Sequence, residues 1–323
     1  MTLNQEAYKK FCENIDYIPI FLEWWWIDSV TGGEWDVVFS LTNDNIIKGA
    51  MPFQLRRVSK IFSIIKMPKQ TQIMGCWFNY PKNQKFANKL SFEKEVMHEL
   101  IDQLPNVDYF MQRFHYSILN WLPFYWKGFK QTTQYTYVLD NIGDLERVKN
   151  NMLGTQKRQL KKAKKLQISV YEEKNIDKFY EMNRLSFQRQ NINIKYSKVF
   201  LENLHEKIMQ RDQGVILFAK DSDNNAHAAI YVIWDQKSAY LMWSGGDPEY
   251  RNSGAKTLLV YEAIKICSSF VNRFDFEGSM MKNIEQYNKS WGAIPVPYHK
   301  IYKFNSRLFE FFYMIKEWKN ARQ

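Results

Sequence analysis

The run Gly245-Gly246-Asp247-Pro248-Glu249-Tyr250-Arg251-Asn252-Ser253-Gly254-Ala255 decides how this chain is read. Two strand patterns precede it, Ala226 to Trp234 and Ala239 to Trp243, and a helix pattern, Ser253 to Phe270, follows. Phe274-Asp275-Phe276-Glu277 then reads as a short strand. A Gly-Ser turn, a helix over Ile284 to Trp291 closed by Gly292, and a strand over Val296 to Lys303 complete the stretch.

A Gly-rich turn that opens a helix presents free backbone N–H groups, and a basic residue beside them makes an anion site. Arg251, Asn252, Ser253, Gly254 and Ala255 are therefore candidate contacts for a cofactor phosphate; an ordinary loop with a helix cap accounts for the same residues. Asp275 and Glu277 lie two apart in a strand pattern, so their carboxylates are expected on one face, where either could take a proton. The plain alternative is a helix cap for one and an ion pair with Arg273 or a lysine for the other.

Upstream, Val215 to Lys220 is a strand pattern, and the polar turn Ser222 to Asn225 makes it a hairpin with Ala226 to Trp234. The first half repeats this order. Trp35 to Leu41 and Ile46 to Leu55 flank the turn Thr42 to Asn45, with further strand patterns at Ile61 to Met67 and Ile73 to Phe78. A helix follows over Ser91 to Leu104, ended by Pro105, then a strand over Val107 to Phe114. A short aromatic helix or turn, Ile118 to Lys127, is closed by Gly128 before the strand Thr132 to Leu139. Trp126, Gly128, Tyr135 and Tyr137 in one half echo Trp291, Gly292, Tyr298 and Tyr302 in the other. The shared order argues for two copies of one α/β (α+β) unit, each a mixed, mostly antiparallel sheet flanked by helices, over residues 1–150 and 151–323. At the N-terminus Gln5 to Asn14 and Ile20 to Val30 look helical, with Trp24, Trp25 and Trp26 expected to pack between elements.

Between the copies, the expected helix 155–166 carries Lys157, Arg158, Lys161, Lys162, Lys164 and Lys165 without an acid. It is either a solvated junction or a contact for phosphate-rich ligands. The aromatic amphipathic segment 306–323 is expected to pack back on the first half.

A chain of 323 residues exceeds one comfortable core, and its 45% hydrophobic content argues against disorder. A net charge of +11 favours an anionic partner. Cys12, Cys76 and Cys267 are odd in number and far apart, which excludes a disulfide framework and points to a reducing, cytoplasmic setting. The five histidines show no HxxxH spacing, so no metal is expected, and neither a signal peptide nor a membrane span is apparent.

Hairpin, strand, Gly-rich turn, long helix and short strand, in that order, resemble the GNAT acyltransferase fold. Two copies joined by the basic Arg158-Gln159-Leu160-Lys161-Lys162-Ala163 helix resemble the FemAB-like family. Phe274-Asp275-Phe276-Glu277-Gly278-Ser279 and the later Tyr287 to Gly292 are similar to that family again. The resemblance implies an N-acyltransferase that moves an acyl or aminoacyl group, from acyl-CoA (acetyl-CoA) or aminoacyl-tRNA, to an amine of a cell-envelope precursor. That acceptor would be an amino sugar or a peptidoglycan stem peptide. Asp275 and Glu277 would supply the base, Lys289 an oxyanion contact, and Lys157, Arg158, Lys161 and Lys162 substrate contacts. Implied partners are an anionic nucleotide- or lipid-linked sugar of polysaccharide or peptidoglycan synthesis, tRNA, and a peripheral membrane contact. Three departures stand out: Lys256 where the phosphate turn has a small residue, Tyr287-Asn288 for the family's Phe-Lys with Lys289 one place later, and too few residues between Ala163 and Val215 for the long helical hairpin of some tRNA-using members. They keep open a second class, a non-catalytic binder of nucleic acid or anionic precursors on a degenerate GNAT fold.

Overall fold

The structure is a computed structural model and describes residues 1–188, 192–194, 196–278 and 280–320. It forms two compact units, Met1–Gln134 with Pro297–Gln323, and Tyr135–Val296. Residues 135–150, grouped with the first half on sequence order, fall in the second unit, and the C-terminal segment falls in the first.

The first unit runs α1 (Leu3–Asn14), α2 (Trp24–Thr31), β1 (Asp36–Leu41), β2 (Ile47–Phe53), β3 (Leu55–Val58), β4 (Phe62–Ile65), β5 (Trp77–Phe78), α3 (Phe86–Gln103), β6 (Tyr109–Arg113) and α4 (Leu122–Trp126). The chain passes into the second unit within β7 (Lys130–Asp140) and leaves it within β13 (Ile294–Phe304), which precedes α11 (Arg307–Asn320). A capping box between Thr2 and Gln5 starts α1. The strand expected over Ile46 to Leu55 divides at the buried Gln54: β2 pairs with β1 and β5, while β3 pairs with β4. Gly49 lets β2 approach α3, since a Cβ there would lie 2.6 Å from Val96 Cγ1. The strand expected over Ile73 to Phe78 shrinks to Trp77–Phe78, because Gly75 takes φ +94° with the Phe114 ring against it. Of the tryptophans, Trp26 is fully buried with Nε1 donating to Thr71 Oγ1 at 3.2 Å, and Trp25 packs edge-on against it.

The second unit holds α5 (Leu145–Asn151), α6 (Gly154–Lys165), β8 (Ser169–Glu172), α7 (Ile176–Gln188), α8 (Lys198–Met209), β9 (Gly214–Lys220), β10 (Ala226–Trp234), β11 (Ser238–Gly246), α9 (Ala255–Cys267), β12 (Arg273–Asp275) and α10 (Lys282–Lys289). Its sheet runs β7-β12-β11-β10-β9-β8, antiparallel except for β11 with β12. That one parallel pair requires a crossover, and α9 supplies it. Leu259, Val260, Ala263, Ile264 and Cys267 bury one side of α9 in the core beside Leu217, Ile230, Val232 and Phe274. β8, α7 and α8 occupy the stretch in which the sequence pattern marked no element.

Candidate active site

Four pieces of the second unit meet: α6, the turn into α9, the end of β12, and α10. A buried relay ties three of them. Thr257 Oγ1 of α9 donates to Gln156 Oε1 of α6 at 2.7 Å, and Gln156 Nε2 donates to Ser290 Oγ, just past α10, at 2.7 Å. Ser290 Oγ in turn donates to the Tyr287 carbonyl at 2.5 Å. The fourth piece joins through Phe276, whose ring packs against Trp291 at 5.9 Å.

The anion turn differs from its expected form. Gly245 and Gly246 are the last residues of β11, paired with Ala229 and Ala228, and not part of a turn. Gly245 is small because α7 crosses it: a Cβ there would lie 2.5 Å from the Met182 carbonyl. Asn183 Nδ2 donates to the Ser244 carbonyl at 2.8 Å, and Gly246 N–H donates to Ser186 Oγ at 2.8 Å. The His227 ring stacks on Tyr250 at 4.0 Å, and its Nε2 lies 3.0 Å from Asp221 Oδ2, which braces the loop that carries Arg251.

Gly254 caps α9 at φ +85°, the left-handed region that favours glycine. A Cβ there would fall 2.3 Å from the Gln159 carbonyl oxygen of α6. Ser253, Gly254 and Ala255 are buried, whereas Arg251 and Asn252 are exposed. Ser253 N–H already donates to the Tyr250 carbonyl at 3.0 Å, and Ala255 N–H to Ser253 Oγ at 3.3 Å. Gly254 thus packs the start of α9 directly against α6, and the Ser253 and Ala255 N–H groups are engaged within the turn itself. Lys256, where a small residue was expected, lays its ammonium 5.0 Å from the centre of the Tyr287 ring.

On α6, Gln156 and Ala163 are buried, while Arg158, Lys161, Lys162, Lys164 and Lys165 are exposed and Lys157 is half-buried. At about 100° per residue the six cations fill the arc opposite the buried positions. Lys157 Nζ donates to the Asn150 carbonyl at 2.9 Å. Among the described residues none of the six meets a carboxylate at ion-pair distance. The turn packs on the buried side of α6, where Gly254 meets Gln159 and Ala163, and not on the cationic face.

The two acids do not share a strand face. β12 ends at Asp275, and Glu277 turns the backbone to φ +55°. Asp275 is 4% exposed and accepts from Thr136 Oγ1 and, at 2.8 Å, from the Glu277 N–H. Thr136 Oγ1 also accepts from Gly278 N–H at 2.9 Å. Gly278 is glycine because a Cβ would lie 2.0 Å from the Tyr135 carbonyl. Burial pushes the Asp275 carboxyl up to about 6, against the pull of Thr136 and the Glu277 N–H. Asp275 therefore holds the Glu277–Gly278 turn from beneath, with Glu277 half-buried above it. Ser279 of this motif lies outside the described residues.

Lys289 is exposed on the last turn of α10. Its neighbour Asn288 is 2% exposed, and its Nδ2 meets no hydrogen-bond partner among the described residues. One residue is about 100° of helix, so Lys289 faces away from the position that Asn288 fills. Asn288 escaped notice in the sequence because a lone asparagine beside a lysine carries no signal; only its burial marks it. Among the described residues no group of three or more His, Cys, Asp or Glu could hold a metal ion, and no helix is long and apolar enough to cross a membrane. In the first unit, an open groove of about 840 Å³ is lined in part by Trp35, Phe39, Phe53, Arg56 and Arg57.

Residues 148–287 match the family described as acetyltransferase (GNAT) domain. The fold along nearly the whole chain is that of FemX, with a TM-score of 0.65 at 11% identity over 93% of this chain and 96% of that one. The C-terminal domain of a putative lysylphosphatidylglycerol synthetase from Agrobacterium fabrum superposes with a TM-score of 0.57 at 9% identity, covering 92% of each chain. L-PGS from Bacillus licheniformis does so with a TM-score of 0.56 at 9% identity, covering 97% of this chain and 96% of that one. No curated protein matches the chain in sequence. Part of the second unit, α6 included, thus matches a GNAT acetyltransferase domain, and the chain shares its fold with FemX and these synthetases.

Proposed function

We propose that this protein transfers an acyl or aminoacyl group to an amine of an anionic cell-envelope precursor in the cytoplasm, with an aminoacyl-tRNA as the preferred donor. A GNAT domain implies acyl-CoA as donor in general terms. The observation that carries the narrower reading is the open, acid-free cationic face of α6. Six cations on one helix face suit the repeated phosphates of a polynucleotide better than the single pyrophosphate of CoA. FemX and the lysylphosphatidylglycerol synthetase share this fold, which supports an envelope acceptor without naming it.

In this reading Glu277 takes the proton from the attacking ammonium group, and Asp275 positions it through the Thr136–Gly278 turn. The amine then adds to the acyl carbonyl, and the C–O bond to the tRNA ribose breaks as the amide forms, the second proton of the nitrogen passing to the departing ribose oxygen. The buried amide of Asn288 would donate to the carbonyl oxygen as negative charge develops there, the task the family's lysine suggested for Lys289.

The test is mass spectrometry of a nucleotide-linked peptidoglycan stem-peptide precursor and of an amino sugar, each incubated with acetyl-CoA or with a mixture of charged tRNAs. An aminoacyl adduct only with charged tRNA is the expected result. An acetyl adduct with acetyl-CoA would overturn the donor assignment. No adduct from either donor, together with salt-sensitive tRNA binding, would favour a non-catalytic binder.

A further inference from the structure

The C-terminal helix α11 presents an apolar face that no described residue covers. Phe309 and Tyr313 turn inward, stacking on Tyr109 at 5.5 and 5.4 Å. At about 100° per residue, Leu308, Phe311, Phe312, Met314 and Ile315 fall in one arc on the other side. Leu308, Phe311 and Met314 are each 56% exposed. The stripe continues onto the β3–β4 hairpin: Phe62 touches Phe309 and Phe312, and the adjoining Ile61, at the hairpin tip, is 71% exposed.

Charge surrounds this stripe in a definite pattern. Arg307 and Lys319 stand at its two ends and Lys316 at its side, while Glu310 and Glu317 lie on the opposite part of the helix. Arg57 and Lys60 belong to the hairpin. Burial, and then the neighbouring charges of Lys316, Lys300 and Arg56, hold the Lys66 ammonium below its ordinary value, with only Glu317 acting the other way. Lys300 is lowered by burial and by Arg113. These cations are close enough to repel one another, so a dense negative surface would relieve them. An apolar stripe with cations at its borders and acids behind it is the composition of a helix that lies in a lipid headgroup layer.

We propose that α11 and the β3–β4 tip dock the protein on the anionic surface of a phospholipid bilayer. Phe311, Met314 and Leu308 enter the headgroup–acyl boundary, while Lys316, Lys319 and Arg307 meet the phosphates. A second copy of the chain is the poorer occupant, because two such faces would bring their cations together. The inference stands apart from the proposed acyl transfer, since none of these residues belongs to the second unit.

The experiment is flotation of the full chain with vesicles of phosphatidylcholine plus phosphatidylglycerol, and with phosphatidylcholine alone. Binding to the mixed vesicles only is expected. Phe311→Ser with Met314→Ser, and separately Lys316→Glu with Lys319→Glu, should each weaken it by about tenfold or more. Both pairs are exposed, so circular dichroism and the unfolding midpoint should stay at wild-type values, as should acyl transfer to a soluble acceptor. Absence of the protein from the mixed vesicles, equal binding to phosphatidylcholine alone, or unaltered binding of both double variants would overturn the proposal. So would a monomer–dimer equilibrium abolished by Phe311→Ser with Met314→Ser in a protein that does not float.

Discussion

Replacing Asp275 by asparagine tests the buried carboxylate on which the β12 turn rests. Burial pushes its carboxyl from the ordinary 3.8 up to about 6. A carboxyl raised in the folded state holds its proton more tightly there than in the unfolded chain. Its protonation therefore favours folding below the unfolded value, and that advantage is lost as pH rises through the folded value. The window runs from about pH 4 to pH 6, and the shift corresponds to about 3 kcal/mol. Asp275→Asn keeps a carbonyl oxygen to accept from Thr136 and the Glu277 N–H but has nothing to ionise. Urea unfolding of both proteins, followed by circular dichroism at steps across this window, measures the difference directly. The variant should gain on wild type by about 2–2.5 kcal/mol as pH rises from 4 to 7. Asp221, held at about 2 by Asn225 and His227, titrates in both proteins and cancels. A stability difference that stays constant over the window would refute the claim that this carboxyl is desolvated.

Gly254→Ala must place a Cβ 2.3 Å from the Gln159 carbonyl at positive φ, and should lower stability by about 2–4 kcal/mol in denaturant unfolding. Gln156→Leu strips the Thr257 and Ser290 hydroxyls of their shared partner; a loss of about 2–3 kcal/mol by the same measurement is expected. Lys161→Glu with Lys162→Glu touches only exposed side chains, so stability should move by no more than about 0.5 kcal/mol while tRNA binding weakens and its salt dependence flattens in filter-binding titrations. Cys12, Cys76 and Cys267 are buried, and burial raises all three thiols, so a thiol reagent should label none in the native protein at neutral pH and all three after denaturation.

Much of the second unit was legible because its signals are local. Alternation marks β9 and β10, and the apolar run of Leu258 to Ile266 marks α9. The acid-free composition of α6 is visible without any coordinates. Other features depend on what lies across from them. Gly245 and Gly246 look like a turn, yet they end a strand paired with β10, and Gly245 lies under α7, a helix that the sequence pattern did not mark. Asp275 and Glu277 have the spacing of one strand face, but that spacing fails once Glu277 takes a left-handed backbone.

Taken alone, the sequence determined the class of fold, the tandem order of its elements, the cationic helix and the short acidic motif. These follow from period, turn chemistry and composition, which are properties of neighbours in the chain. Only the tertiary structure decided that Gly254 packs the start of α9 against α6, that Asp275 lies beneath the Glu277 turn, and that Asn288 is buried while Lys289 is not. Each of those depends on the approach of segments distant in sequence, where burial and close contact, rather than residue type, set what a side chain can do.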